Sequence, residues 1–410
     1  MIPRKNKQFY QFCAYGFLKN LRFFDPFLLL FFLSKGFNYL DIGILYAIRE
    51  IGFVLIEIPS GIFADAFGRK KSLIISYIAY LLSFLTFYFA SSFILVAAAM
   101  LIFSFGESFR SGTHKALIFS YLEHKNWIKY KTDYYGNTRA CSQFGSAVSA
   151  SLAAVIVILN SNIEIIFLFS IIPYLAGLIN LALYPKYLDK GVQKGSFRQL
   201  SINAIRLAKQ SWRVFKQKQM VLAVFNLSFY SAYYKAVKDY FQVLILSFSA
   251  GLVLFPNYNM DQQNAFFIGI AYTILFLFSS IASRNSFRFQ SFFTTDKKAL
   301  NFSLLFGVLI GVIAGVGMLL DLKLAAVLLF FGIYILENLR KPIGIGRVID
   351  YSNEKINATI LSVASQIKAL MAALLALCMG YFAETFSVSI ALILTSLLLL
   401  LLFPFYWLKK

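Results

Sequence analysis

The sequence predicts an all-α polytopic membrane protein with twelve transmembrane helices in two pseudo-symmetric six-helix bundles, both termini cytoplasmic. Three observations carry that prediction. Of 410 residues, 59% are hydrophobic and only 14% charged, roughly half the charge of a soluble chain. Apolar runs of about 20 residues, long enough to cross a bilayer as helices, recur along the chain. The basic residues fall almost wholly on one side of the alternating connections. A membrane β-barrel would instead show short alternating segments, and these do not occur.

The first segment, 9–33, follows basic residues as the apolar core of a signal peptide does. Lys19, Arg22 and Asp25 interrupt it and no small-residue cleavage site follows, so it reads as an uncleaved first helix. Segments 39–61, 72–90, 93–119, 136–159 and 164–184 complete an N-terminal bundle, residues 1–185. Residues 186–218 form a basic cytoplasmic linker. Within it, Ile202, Ile205, Trp212 and Phe215 share a helical face opposite Arg206, Lys209, Arg213 and Lys216, an amphipathic helix suited to lie on headgroups. A flexible basic tether is the competing reading. Segments 219–247, 263–282, 299–320, 322–340, 357–382 and 386–408 form the C-terminal bundle, residues 219–410.

The net charge of +21 is a topological signal. Connections on the side holding both termini carry 27 lysines and arginines, against two, Lys35 and Lys323, on the other. Basic loops stay cytoplasmic and contact anionic lipid headgroups there, so membrane lipid is an expected partner and nucleic acid is not. Cys13, Cys141 and Cys378 fall inside predicted helices and support neither a disulfide framework nor a metal site. No phosphate-binding loop occurs, nor a convincing Ser-His-Asp set. Neither cofactor nor catalytic residue is therefore expected. His114 reads as a satisfied helix-end contact, and His124 falls in a solvated loop.

Charge inside the membrane segments has a period of three. Segment 1 carries Lys19, Arg22 and Asp25; segment 4 carries Glu107, Arg110, His114 and Lys115. Segment 7 carries Lys235, Lys238 and Asp239; segment 10 carries Glu337 and Arg340. Segments 3, 6, 9 and 12 have no interior charge, while 2, 5 and 11 add Arg49, Glu50, Glu57, Arg139 and Lys368. Such charge is expensive unless it faces a wet cavity or a partner, so the period implies a repeating three-helix unit. An echo supports two related halves: Glu107 to Tyr121 and Glu337 to Tyr351 each span 14 residues, opening on ESFR and ENLR. Halves built from repeats, with a site near the midplane, are the pattern of secondary transporters.

At the end of segment 2, GIFADAFGRKKSL (61–73) resembles the loop 2–3 signature of the major facilitator superfamily, Gly-x-x-x-Asp-x-x-Gly-Arg-Lys/Arg. Gly61, Asp65, Gly68, Arg69, Lys70 and Leu73 match, while Phe63 and Ala66 fill positions usually given to Leu and Arg. The resemblance implies two six-helix bundles with segments 1, 4, 7 and 10 lining the cavity, and a cytoplasmic gate at this motif. In it Gly61 and Gly68 would permit close packing and a tight turn. Asp65 would meet a helix N-terminus and pair with Arg69. Segment 5 lacks the Gly-Pro-rich antiporter signature, and RNSFRFQSFF keeps cations but not the Gly-Asp core of the C-terminal counterpart loop.

At 100° per residue, Lys235, Lys238, Asp239 and Gln242 share one stripe of segment 7. Lys235 and Asp239, four apart, can pair, leaving Lys238 free. In segment 1, Tyr15, Lys19, Arg22 and Asp25 share an arc; Arg22 and Asp25 can pair, leaving Lys19 free. Glu107–Arg110 and Glu337–Arg340 are further pairs three apart, whose competing reading is mutual neutralisation. With Asp41, Glu164 and Lys323 at segment ends left aside, ten cations against six acids lie inside the predicted spans. With Lys115 and Arg139 discounted as near the ends, two positive charges remain. A buried uncompensated cation sheds its proton or recruits an anion. The expected substrate is therefore a small anionic or zwitterionic organic solute held by Lys19, Arg22, Lys235 and Lys238, with Tyr15 and Gln242 supplying neutral hydrogen bonds. Arg110, Asp239, Glu337 and Arg340 complete the candidate substrate site. Asp25, Glu50, Glu57 and Glu107 are the candidate proton-coupling carboxylates. The expectation is a monomeric secondary transporter of a bacterial plasma (inner) membrane, working by alternating access. The alternatives are a drug/proton antiporter and, from other classes, a membrane-embedded enzyme or a transporter-like receptor.

Overall fold

Four helix starts are written in their capping residues. Asn6 accepts from the Phe9 amide to open α1 (Lys7–Leu18), Ser92 opens α5 (Phe93–Arg110), Thr295 opens α13 (Asp296–Leu319) and Ser387 opens α16 (Val388–Leu401). In each, the side chain satisfies an amide that the helix itself leaves without a partner. A computed structural model of the chain describes residues 5–127, 131–160, 162–189, 217–252, 260–351 and 357–408. Among these residues every regular element is helical. The remaining helices are α2 (Leu28–Ser34), α3 (Tyr39–Phe67), α4 (Arg69–Phe89), α6 (Thr113–His124), α7 (Lys131–Asn160), α8 (Ile165–Ala182), α9 (Lys218–Val237), α10 (Phe241–Ser249), α11 (Met260–Arg284), α12 (Ser286–Ser291), α14 (Lys323–Ile349) and α15 (Asn357–Thr385). The amphipathic helix expected in the basic linker lies outside the described residues.

Seven helical spans are long and apolar enough to cross a bilayer, Arg69–Phe89, Phe93–His124, Asn137–Asn160, Ile165–Ala182, Gln262–Arg284, Asp296–Leu319 and Ile360–Thr385. The protein is therefore integral to the membrane and multi-pass. Of the other expected crossings, 39–61 and 322–340 lie in the long, charge-bearing α3 and α14, and 386–408 contains the 14-residue α16. Segments 1 and 7 are each divided.

The chain forms two compact units. The first comprises Met1–Phe27, Gly52–Ala204 and Tyr272–Phe276; the second comprises Leu28–Ile51, Ile205–Ala271 and Leu277–Lys410. In the first, α4 meets α5 through one serine stripe. Ser72, Ser76 and Ser83 donate to the carbonyls of Phe109, Gly106 and Ala99 at 2.8, 2.6 and 2.9 Å. Small residues let the backbones approach, and each hydroxyl finds an acceptor across the seam, as helices packed in lipid require. In the second, Tyr233 of α9 bonds Ser396 of α16 at 2.7 Å, and Ser228 donates to Ala364 of α15 at 3.0 Å. Leu82, Ile94 and Leu159 face outward, 52, 78 and 77% exposed, as a lipid-facing surface demands.

Two glycines set turns. Gly68, with φ of +112°, separates α3 from α4, and Gly112, with φ of +70°, divides predicted segment 93–119 into α5 and α6. A residue with a Cβ is strained in this conformation. The close-packing role expected of Gly61 is not what the structure holds: a Cβ there meets only open space.

Candidate functional site

The site begins with a helix that does not continue. Segment 1 is α1, an irregular stretch, a 3-10 turn at Asp25–Phe27 and then α2. Pro26 lacks an amide for the ladder and disfavours helical backbone at Asp25. Side chains from the stretch itself and from α8 satisfy the interrupted backbone. The Asn20 amide donates to the Gly16 carbonyl at 2.8 Å, Tyr174 donates to the Lys19 carbonyl at 2.9 Å, and the Phe23 amide donates to Ser170 at 3.2 Å. Irregular backbone inside a membrane requires such internal partners.

The break removes the expected Arg22–Asp25 spacing. Instead Arg22 forms an ion pair with Glu107 of α5, and its Nε donates to Tyr174 at 2.8 Å. Arg110 pairs with the other Glu107 oxygen at 2.6 Å, as its i,i+3 spacing predicts. Tyr80 donates to Glu107 at 2.5 Å and accepts from Arg110 Nε at 3.0 Å. One carboxylate thus lies between two guanidiniums. Asp25 opens the 3-10 turn, half-buried.

Beside this triad is a cavity of about 340 Å³ lined by Tyr15, Lys19, Arg110, Lys115, Arg139 and Gln143 among others. Its lining contains four cations and no carboxylate. Tyr15 stacks on His114 at 3.6 Å, and the imidazole lies 3.2 Å from the Tyr184 hydroxyl, the satisfied contact expected of it. The Lys19 ammonium has no hydrogen-bond or ion-pair partner among the described residues. Arg139, discounted from its position near a helix end, proves to be a cavity residue. Its signal was the face it shares with Ser142, Gln143 and Ser146, a polar stripe on α7 about two turns long.

A second cluster lies in the other unit. Lys235 does not pair with Asp239. Its Nζ sits 2.7 and 2.9 Å from the two oxygens of Glu50, which Arg49 also approaches at 3.4 Å. Asp239 takes Lys238 instead, at 2.6 Å. The reason is again local: residues 238–240 form a 3-10 turn between α9 and α10, so the α-helical angles used for the stripe end at Val237. Tyr334 donates to the Lys238 carbonyl at 2.8 Å within that turn. Gln242 is fully buried and accepts from the Leu30 amide at 3.1 Å.

Glu337 and Arg340 make no direct ion pair among the described residues. Glu337 accepts from Ser231 at 2.7 Å and lies 3.9 Å from Lys341. Arg340, wholly buried, donates to the carbonyl and side-chain oxygen of Asn226 at 3.1 and 2.7 Å and lies over the Tyr230 ring at 4.6 Å. In the expected gate motif, Arg69 turns to α6, donating to the Ala116 carbonyl at 3.2 Å and Ser120 at 2.5 Å. Asp65 is exposed and makes no ion pair among the described residues. Lys70 caps the end of α8 through the carbonyls of Ala182 and Tyr184 at 2.8 and 2.7 Å, where a cation suits the helix dipole. Glu57 is buried in α3.

Comparison with known proteins agrees with this architecture. A protein of Bacillus subtilis (strain 168), the uncharacterized MFS-type transporter YxaM, is 27% identical over 238 residues, so the match spans 57% of this chain and 57% of that relative. The crystal structure of a mutant of the nucleoside transporter NupG superposes with a TM-score of 0.75 at 15% identity, covering 98% of this chain and 100% of that one. The D-xylose-proton symporter gives 0.68 at 13% identity over 95% of each chain. A POT family transporter in complex with 5-aminolevulinic acid gives 0.68 at 12% over 98% of each. These likenesses establish the fold, and the sequence profile described as Major Facilitator Superfamily matches residues 9–349. The chain belongs to the Major Facilitator Superfamily.

Proposed function

We propose that the protein is a secondary active transporter that moves a small organic anion across the membrane by alternating access. One observation carries the substrate class: a cavity of about 340 Å³ whose lining holds four cations and no carboxylate. In a low-dielectric surround, such a lining favours an anion and repels a cation. The transporter reading is supported by the family and by fold neighbours that carry nucleosides and D-xylose. Twelve crossings with both termini in the cytoplasm accord with the 27-to-two distribution of basic loop residues. A bacterial plasma membrane is the location favoured by the Bacillus relative.

Coupling to protons is the second half of the proposal. Glu107 shares Arg110 with the cavity, so an anion that draws Arg110 away leaves the carboxylate with one guanidinium fewer, in a setting that favours protonation. Asp25, Glu50 and Glu57 remain candidates, with Glu50 bound to Lys235. The test is uptake of labelled organic anions into proteoliposomes with an imposed pH gradient. Anion accumulation abolished by a protonophore supports both parts. Gradient-independent uptake removes the coupling, and binding of lipophilic cations in place of anions overturns the substrate class.

A further inference from the structure

We propose that the cavity of the first unit is built for a doubly charged oxyanion, a hydroxylated dicarboxylate or a phosphate ester, and not for a monoanion or a zwitterion. The inference rests on the anion-transport reading above and narrows it.

The reasoning is a local charge balance. Arg22 and Arg110 are answered by Glu107, which bonds both, and by Asp25, whose field reaches Arg22. Lys115 places its ammonium 5.5 Å from the centre of the Phe119 ring. Lys19 and Arg139 then remain. Both line the cavity, and neither has a hydrogen-bond or ion-pair partner among the described residues. They come from different elements, the end of α1 and the first half of α7. A ligand touching both therefore meets two separate positive heads. Arg110 adds an outward edge, since its Nε and Nη2 are engaged by Tyr80 and Glu107 and no described residue bonds Nη1.

A dianion matches this set. A monoanion leaves one cation uncompensated in a membrane protein's interior, which is costly. A zwitterion brings an ammonium into a lining with no carboxylate to receive it. Size agrees: about 340 Å³ is room for roughly ten groups the size of a water molecule at about 30 Å³ each. Hydroxyls on the ligand are accommodated as well. Gln143, one turn beyond Arg139, offers an amide with no partner among the described residues, and Ser142 and Ser146 keep acceptor lone pairs because their protons go to helix carbonyls.

The experiment uses the detergent-purified full chain and four probes at pH 7, followed by calorimetric titration: malate and glycerol 3-phosphate as dianions, lactate as monoanion, alanine as zwitterion. Both dianions are expected to bind at least about tenfold more tightly than lactate or alanine. Lys19→Gln and Arg139→Gln should each weaken the dianions by about tenfold or more, the scale for losing one desolvated charge pair. Lactate should stay within about threefold, because one cation still answers it. That collapse of preference is a readout a merely structural role would not produce, and unliganded melting temperatures identify any variant that misfolds; the other then decides. Lactate binding best, with affinity still lost in Lys19→Gln, overturns the dianion assignment and leaves anion transport standing, whereas alanine binding best overturns both. Failure of both dianions to bind at millimolar concentration also overturns it. Binding of tetraphenylphosphonium alone overturns both readings.

Discussion

Replacing Glu107 by glutamine removes one charge and leaves two guanidiniums facing each other. Arg22, Glu107 and Arg110 are 16, 22 and 21% exposed at the side chain, so water does little to replace the carboxylate. Breaking a buried pair by removing one partner costs about 3–5 kcal/mol. Glutamine keeps one acceptor for Tyr80 and Arg22, but its amide turns a second donor toward Arg110, where a charged bond of 2.6 Å stood. The loss should therefore fall within that range. At roughly 2 °C per kcal/mol for a large domain, thermal melting of the detergent-purified protein should drop by about 6–10 °C.

A second variant isolates the cause. In Arg22→Gln/Glu107→Gln, one surplus cation leaves with the acid, so the double variant should be less destabilised than the sum of the singles. Contacting charges couple by about 0.5–3 kcal/mol in such cycles. Glu107→Gln should also respond more strongly to added dianion than the parent does, because Arg110 is released toward the cavity. A melting temperature within about 1 °C of the parent, or strict additivity in the cycle, would refute the view that Glu107 holds the two arginines together.

The pair in the second unit should behave more mildly. Glu50→Gln strands Lys235, whose side chain is 31% exposed and can draw on water, so a loss of about 2–3 kcal/mol is expected in the melting assay, below the full cost of breaking a buried pair. The exchange Glu50→Lys/Lys235→Glu should recover at least half of it. Gly380→Val should be destabilising by about 1–3 kcal/mol, since a Cβ at Gly380 lies 2.6 Å from the Tyr39 carbonyl and 2.9 Å from Gly43 Cα. Gly61→Ala, in open space on a helix, should stabilise by a fraction of 1 kcal/mol. Arg340→Lys should lower the melting temperature despite keeping the charge, because an ammonium cannot both lie flat over Tyr230 and fork to Asn226; an unchanged melt would show that only the charge matters there.

The class of protein was legible because it depends on composition and on the length of apolar runs, which no tertiary contact can override. Glu107–Arg110 was legible too, since both residues sit on one uninterrupted stretch of α5. The pairs that were misread, Arg22–Asp25 and Lys235–Asp239, share a different assumption: that the helix continues between the partners. It does not, and the two breaks differ in how visible they were. Pro26 announces the first. The second, at Lys238–Tyr240, has no proline or glycine within it, and its carbonyl at Lys238 is held by Tyr334 from α14, a contact that sequence spacing cannot reveal. Arg22 and Lys235 then found acids at separations of 85 and 185 residues, where helical periodicity is silent.

A cation buried in this protein has met one of three ends. Lys235 and Lys238 each reached a carboxylate, and the net cost of such a pair is small when its hydrogen bonds are complete. Arg340 reached no acid among the described residues, yet a carbonyl, an amide oxygen and a ring face surround it, which disperses the charge of a weakly hydrated guanidinium. Lysine cannot use that second solution well, because its charge is compact and strongly hydrated. This is why Lys19 is more informative than an arginine would be. Placed at the broken end of α1, beside a cavity whose described lining holds no carboxylate and without a partner among the described residues, it has only water or a bound anion to stabilise its charge. On the proposed transport reading, exclusion of water as the cavity closes would remove the first option, and the cost of leaving Lys19 alone would become binding energy available to the arriving anion.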